Sequence, residues 1–220
     1  MERFVLLIIG CGCFMMHTSS QVEVSAKDEV TPLSKIRYTQ QTVPGTASFG
    51  LRSQFDKTPS NSTVEAADNF SFDQHVLLTE LSWAGLYMQV QKPVLEPRAF
   101  TIRFYRHDGK LDQPQIIPFY SRQIEVAGIW MGEVGFGNSA LLRYQYDFDA
   151  PIFLEPDVEY WVSIQAMELD DSGPYAHWWW HKSNEGDRHS VQNLSRRDPV
   201  WDRFPEIDLA FELSGIPAIH

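Results

Sequence analysis

Two runs of strict alternation, separated by an acidic turn, constrain this chain more than any other feature. In residues 142–148, Leu142, Tyr144, Tyr146 and Phe148 fall on one face, and Arg143, Gln145 and Asp147 on the other. In residues 159–166, Tyr160, Val162, Ile164 and Ala166 alternate with Trp161, Ser163 and Gln165. Successive side chains of a strand point to opposite faces, so this period predicts strands with one face buried and one wet. Between the runs, Glu155-Pro156-Asp157 supplies turn chemistry, because proline fixes φ and aspartate can hydrogen-bond its own backbone.

The same signal recurs on both sides. Residues 66–72, 75–90, 100–105, 115–126, 129–134 and 207–213 read as further strands, with Gly85 expected to mark a bulge or bend and Asp108-Gly109 a turn. No long helical periodicity interrupts them. About eight strands with turns between predict an all-β, jelly-roll-like β-sandwich over residues 64–220. Its terminal strands, 66–72 and 207–213, are expected to share a sheet so that the ends meet. Residues 21–63 are polar and weakly periodic, and read as a flexible leader or linker with one short edge strand near 36–39. Residues 185–205 read as a long polar connection.

Ahead of this domain, residues 4–16 form an apolar run of signal-peptide length, too short to span a bilayer, followed by the small residues Thr18, Ser19 and Ser20. Residues 1–20 are therefore expected to be a signal peptide, giving a secreted, extracellular or periplasmic protein without a transmembrane span in its mature chain. The alternative is a lipid anchor at Cys11, since Ile8-Ile9-Gly10-Cys11 has lipobox residue types. Both cysteines, Cys11 and Cys13, lie in this segment, so the mature domain would hold no disulfide. The formal net charge of −11 excludes the basic footprint of a nucleic-acid partner.

Six sequence features occur in order. They are Ala67-Asp68-Asn69-Phe70, Ser82-Trp83-Ala84-Gly85-Leu86-Tyr87, the 100–105 strand with Asp108-Gly109, Glu159-Tyr160-Trp161-Val162-Ser163-Ile164, the tryptophan run 178–180, and Asp208-Leu209-Ala210-Phe211. Over residues 66–215 the chain resembles a group of uncharacterised secreted bacterial β-sandwich domains, often found in surface-sorted proteins. It differs in having Ala84 where relatives often carry glycine, and in showing no sorting tag after residue 215. The resemblance implies export and a sandwich; it implies no substrate.

The aromatic run 175–181 is the first candidate for binding. On a strand, Trp178 and Trp180 would share the core face, and His177, Trp179 and His181 the other. Trp179 flanked by imidazoles can stack on a sugar ring, with Trp130 and Trp201 as further platforms. The opposing expectation is that all three tryptophans of the run are core. The H-x-x-x-H spacing of His177 and His181 suits zinc only on a helix, since on a strand they stand about 13 Å apart. Asp68 and Asp208, at the starts of the terminal strands, are a candidate pair for a structural Ca²⁺, against the simpler role of accepting backbone N–H bonds. The G-x-G-x-x-A match at 135–140 precedes a strand instead of a helix, and so reads as a hairpin loop. No nucleophile elbow, H-E-x-x-H or phosphate-binding loop occurs, so no catalytic residue is assigned. The expected function is non-catalytic binding of a polysaccharide or other cell-surface polymer. The alternatives are a structural or adhesive envelope module, and an unassigned hydrolase whose two carboxylates sequence cannot place.

Overall fold

The computed structural model describes residues 34–43, 50–55, 63–88, 99–167, 177–194 and 200–218. The expected signal segment 1–20, with Cys11, lies outside them. Among the described residues, sixteen strand segments follow one another: β1 (Ile36–Gln40), β2 (Leu51–Arg52), β3 (Gln54–Phe55), β4 (Glu65–Phe70), β5 (Val76–Met88), β6 (Ala99–Arg106), β7 (Tyr120–Glu125), β8 (Ile129–Val134), β9 (Ala140–Leu154), β10 (Tyr160–Met167), β11 (His177–Trp180), β12 (Lys182–Ser183), β13 (Ser190–Asn193), β14 (Asp202–Phe204), β15 (Asp208–Leu209) and β16 (Phe211–Pro217). The one helical element among the described residues is a 3-10 turn at Phe136–Asn138. It occupies the glycine-rich 135–140 stretch, which is a hairpin loop as its sequence context predicted.

The strands form a β-sandwich. The first sheet has seven strands centred on β5, which pairs along one edge with β9 and on the other with both β16 and β11; β1 flanks β16, β2 flanks β11 and β8 flanks β9. The second has seven strands in the order β14-β13-β4-β10-β6-β7, with β3 beside β10. A small β12–β15 pair completes the fold. The core lies between the large sheets. Leu78, Leu81, Trp83, Tyr144 and Trp178 come from one, and Phe100, Ile102, Phe104, Val162 and Ile164 from the other.

The alternation that predicted β9 holds: Leu142, Tyr144 and Phe148 are buried, while Arg143, Gln145 and Asp147 are exposed. For β10 the wet face is absent, because Trp161, Ser163 and Gln165 are buried too. Their cover comes from far along the chain. Trp161 packs with Ala67, Tyr105, Val191 and Trp201 in a second cluster on the outer side of the sheet. Residues 185–205 are thus more than a connection, since β13 and β14 extend the sheet there.

Three further expectations change. β4 and β16 lie in different large sheets, so the expected terminal strands are not sheet neighbours. The described part of the expected leader is built into the sandwich: β1 pairs with β16 as an edge strand, β2 with β11, and β3 with β10 in parallel. Gly85 is not a bulge. The register of β5 shifts between Leu78 and Glu80 instead, whereas Gly85 stays paired with both Leu142 and Trp180. Its missing side chain serves Trp178, for a Cβ at Gly85 would stand 2.3 Å from the indole Cζ2.

This contact yields a double-variant test. Gly85→Ala is expected to destabilise by about 1–3 kcal/mol through overpacking, and Trp178→Ala by roughly 3–5 kcal/mol through the cavity it leaves. Combined, they should cost less than their sum, because the emptied indole site admits the new methyl group. Urea melts of the three variants measure this; strict additivity would show that Trp178 is not what excludes a side chain at position 85.

Candidate functional site

The tryptophan run divides as an alternating strand requires. Trp178 and Trp180 are fully buried, while His177 and Trp179 are half-buried on the opposite face of β11. Trp178 meets Phe100 edge-on at 5.2 Å, and Trp180 donates from Nε1 to the Ala210 carbonyl at 2.9 Å. His181 does not join His177 and Trp179 at the surface. The ladder ends at Trp180, and His181 donates its backbone N–H to the Ala84 carbonyl at 2.9 Å. That connection carries its imidazole inside, fully buried, with Nδ1 2.9 Å from the Lys182 carbonyl oxygen.

The other aromatic candidates do not gather around Trp179. Trp130, on β8, is 64% exposed and donates from Nε1 to the Glu133 carbonyl. Trp201 is buried in the second sheet's outer cluster, edge-on to Tyr105 at 6.0 Å.

A different surface offers a better-formed site. Strand register places Thr39 of β1, Glu212 of β16, Ser82 of β5 and Gln145 of β9 in one row across the first sheet. This row is on the outer side, since Leu81, Trp83, Tyr144 and Phe211 between its members point into the core. Here a groove of about 300 Å³ opens. Ala84 and Ala210 lie at its base, Met131 packs against them, and Ser82, Arg143 and Glu212 bring polar groups to its lining. Arg143 Nη2 donates to Ser82 Oγ at 3.1 Å and stands 3.8 Å from Glu212 Oε2. Arg37 approaches the same carboxylate at 3.7 Å. The groove thus joins a shallow apolar base to hydroxyl, guanidinium and carboxylate groups, each with a capacity to exchange partners. Arg143 and Glu212 occupy the polar phase of alternating strands, whereas Ser82 is buried and shares its face of β5 with Ala84 and Leu86. That alternation fixes the face of Arg143 and Glu212 but not which strands lie together.

Asp68 and Asp208 do come together, through β15 instead of a shared large sheet. Asp68 is fully buried and accepts the N–H groups of Asn69 (2.9 Å) and Leu209. Asp208 accepts those of Arg188 (2.7 Å) and His189 (3.2 Å). Gly186, at φ +127°, keeps the approach open, since a Cβ there would lie 2.6 Å from the Asp208 carboxyl carbon. Burial pushes the Asp68 carboxyl well above the usual carboxylate range; the Leu209 and Asn69 N–H groups oppose this, and the Asp208 and Asp187 carboxylates add to it. Burial also raises Asp208. These oxygens serve as backbone acceptors, a duty that a calcium ion would have to share. Elsewhere, the ligand atoms of His107, Asp112 and Glu159 lie within 4.8 Å of one another.

No protein-family model matches the chain, and no curated protein matches it significantly.

The raised proton affinity of Asp68 has a definite sign. The native state keeps a proton that the unfolded chain releases above the ordinary aspartate range, so the stability drawn from this group is full below that range. It is lost as pH rises through the raised native value. The stability difference between the wild type and Asp68→Asn, which cannot titrate, is therefore expected to shift against the wild type as pH rises above about 4. Urea midpoints across a pH series check this, and a constant difference would refute it.

Proposed function

We propose that this chain is an exported, non-catalytic β-sandwich that binds a carbohydrate or another extracellular polymer, and that it does so in the groove on the outer side of the first sheet. The observation that carries this reading is the union of an alanine base with Ser82, Arg143 and Glu212 in a groove of about 300 Å³. Sugars present alternating apolar C–H faces and hydroxyl rims, and ligand sites of this size combine apolar lining with a few placed polar groups. Arg143 would donate to ring or hydroxyl oxygens, and Glu212 would accept from hydroxyls, each trading a partner it already holds. Trp179, half-buried on the neighbouring β11, is the stacking surface for a chain long enough to extend beyond the groove. Export rests on the apolar run at residues 4–16.

A structural or adhesive role without a small ligand draws on a separate observation. Ile116 and Ile117 are 70% and 77% exposed, with Leu111 and Phe119 also exposed nearby in sequence. Apolar surface of this kind often marks a protein contact.

Polysaccharide pull-down and calorimetry on the purified protein separate these readings. Arg143→Ala and Glu212→Ala should each weaken binding about 10–100-fold, the value of one charge-assisted hydrogen bond. Arg143→Ala, at an exposed position, should shift stability by only about 0.5 kcal/mol. Loss of binding in Trp179→Ala alone would move the site to β11. Absence of binding to any polysaccharide, with loss of self-association in Ile116→Asp/Ile117→Asp, would favour the adhesive role.

A further inference from the structure

We propose that one end of the second sheet is a binding site for a single transition-metal dication, best suited to zinc, with His107, Asp112 and Glu159 as its ligands and His189, beside Asp112, as the fourth donor that would close in on the ion. The four residues reach this place from three separate stretches of chain. His107 follows β6 and Glu159 precedes β10, and the two are adjacent because Arg106 pairs with Tyr160. The His107 backbone N–H donates to the Glu159 carbonyl at 3.2 Å. His189 precedes β13, whose Ser190 pairs with both Asp68 and Phe204. Asp112 comes from the loop after His107, which folds back so that His107 bridges Pro114.

The distances among His107, Asp112 and Glu159 suit a shared ion. Nδ1 of His107 is 3.0 Å from Oε1 of Glu159, and Nε2 of His189 is 3.4 Å from Oδ2 of Asp112. Two donors at zinc's usual bond lengths, held at a tetrahedral angle, stand roughly 3.3 Å apart. The ligand atoms of His107, Asp112 and Glu159 all lie within 4.8 Å of one another, while His189 stands at the edge of that cluster and approaches it at Asp112.

A second observation points to a ligand. His189 Nε2 is buried and makes no hydrogen bond among the described residues; its separation from Asp112 exceeds the usual N–H···O range. Its ring is held in place by the fully buried Trp161, edge-on at 5.1 Å. A buried imidazole nitrogen, fixed in direction and lacking a hydrogen bond, is a donor set for a metal.

The surroundings complete the site. Asn69 Nδ2 approaches Glu159 Oε1 at 3.5 Å, and Arg203 Nη2 approaches Asp112 Oδ2 at 3.3 Å, so both carboxylates have partners that orient them. Asp112 sits in the left-handed region at φ 54°, in a loop held by Asp108 Oδ1 accepting the N–H groups of Lys110 and Leu111. Two carboxylates offset the charge of a dication, with the Arg203 guanidinium on Asp112 as the positive charge the ion would have to compete with. The imidazoles favour zinc and its neighbours over calcium or magnesium, which prefer oxygen alone. Bound there, the ion would tie the 107–114 loop to the start of β13. This site is on the other sheet from the groove, so its test is independent of the polymer-binding proposal.

The test uses the untagged full-length chain with Cys11 and Cys13 alkylated. Calorimetry with zinc chloride in excess Ca²⁺ and Mg²⁺ should show one equivalent bound. His107→Ala and His189→Ala should each weaken binding at least about tenfold, whereas His177→Ala should leave it unchanged. Should either ligand variant fail to fold, Co²⁺ on the wild type decides: paramagnetic broadening should centre on His107, His189 and Trp161. No saturable zinc binding, equal affinity in all variants, or broadening centred on His177 would each overturn the proposal.

Discussion

One edge of β5 has to serve two partners, and the fold depends on how the exchange between them is sealed. β16 holds that edge as far as Trp83, and β11 takes it from Gly85 onward. Ala84 bridges the gap: its N–H donates to the Ala210 carbonyl at 3.3 Å and its carbonyl accepts from the His181 N–H at 2.9 Å. The Ala210 N–H in turn donates to the His181 carbonyl at 2.8 Å, and Trp180 Nε1 to the Ala210 carbonyl at 2.9 Å. Backbone polar groups that would otherwise be buried unpaired are thereby satisfied. The same junction sets both faces of the sheet. Inward, Gly85 and Trp178 interlock; outward, Ala84 and Ala210 leave the shallow base over which Arg143 and Glu212 stand.

Local pattern made much of this architecture legible. The alternation of residues 142–148 matches the burial of β9, with Tyr146 alone half-buried, and the split of Trp178 and Trp180 from Trp179 follows from the same period. What failed was any inference that needed the tertiary neighbour. The second face of β10 is buried because Val191 and Trp201 reach over it, and nothing within residues 159–166 announces them. His181 departs from its expected face because the strand stops one residue earlier, to seal the junction with Ala84.

The sites follow the same rule. Arg143 occupies the polar phase that sequence assigns to an outer face, yet Thr39, Ser82 and Glu212, which join it, come from three other strands far apart in the chain. Asp68 and Asp208 were legible as a pair whose ends meet; that backbone N–H groups fill their oxygens was not. His107 and Asp112 were hidden in a stretch whose Asp-Gly signal speaks of a turn, and His189 in one that reads as polar connection. Residue type alone cannot tell a turn that merely reverses the chain from one that also presents side chains.

The pairing of β1 with β16 has a consequence for how the molecule is made. Ile36 meets Gly215 and Gln40 meets Phe211, so the earliest and latest described strands are hydrogen-bonded neighbours. β2 and β3 likewise wait for β11 and β10. Most contacts in this sandwich join residues distant in sequence, and closing such long loops before any reward slows folding by orders of magnitude relative to locally connected folds. During synthesis, the β6–β7 and β8–β9 hairpins emerge complete, while β5 still lacks β16 on its open edge. Until the final strand arrives, that edge is a template for another chain, and the yield of native protein is set by a race between closure and association.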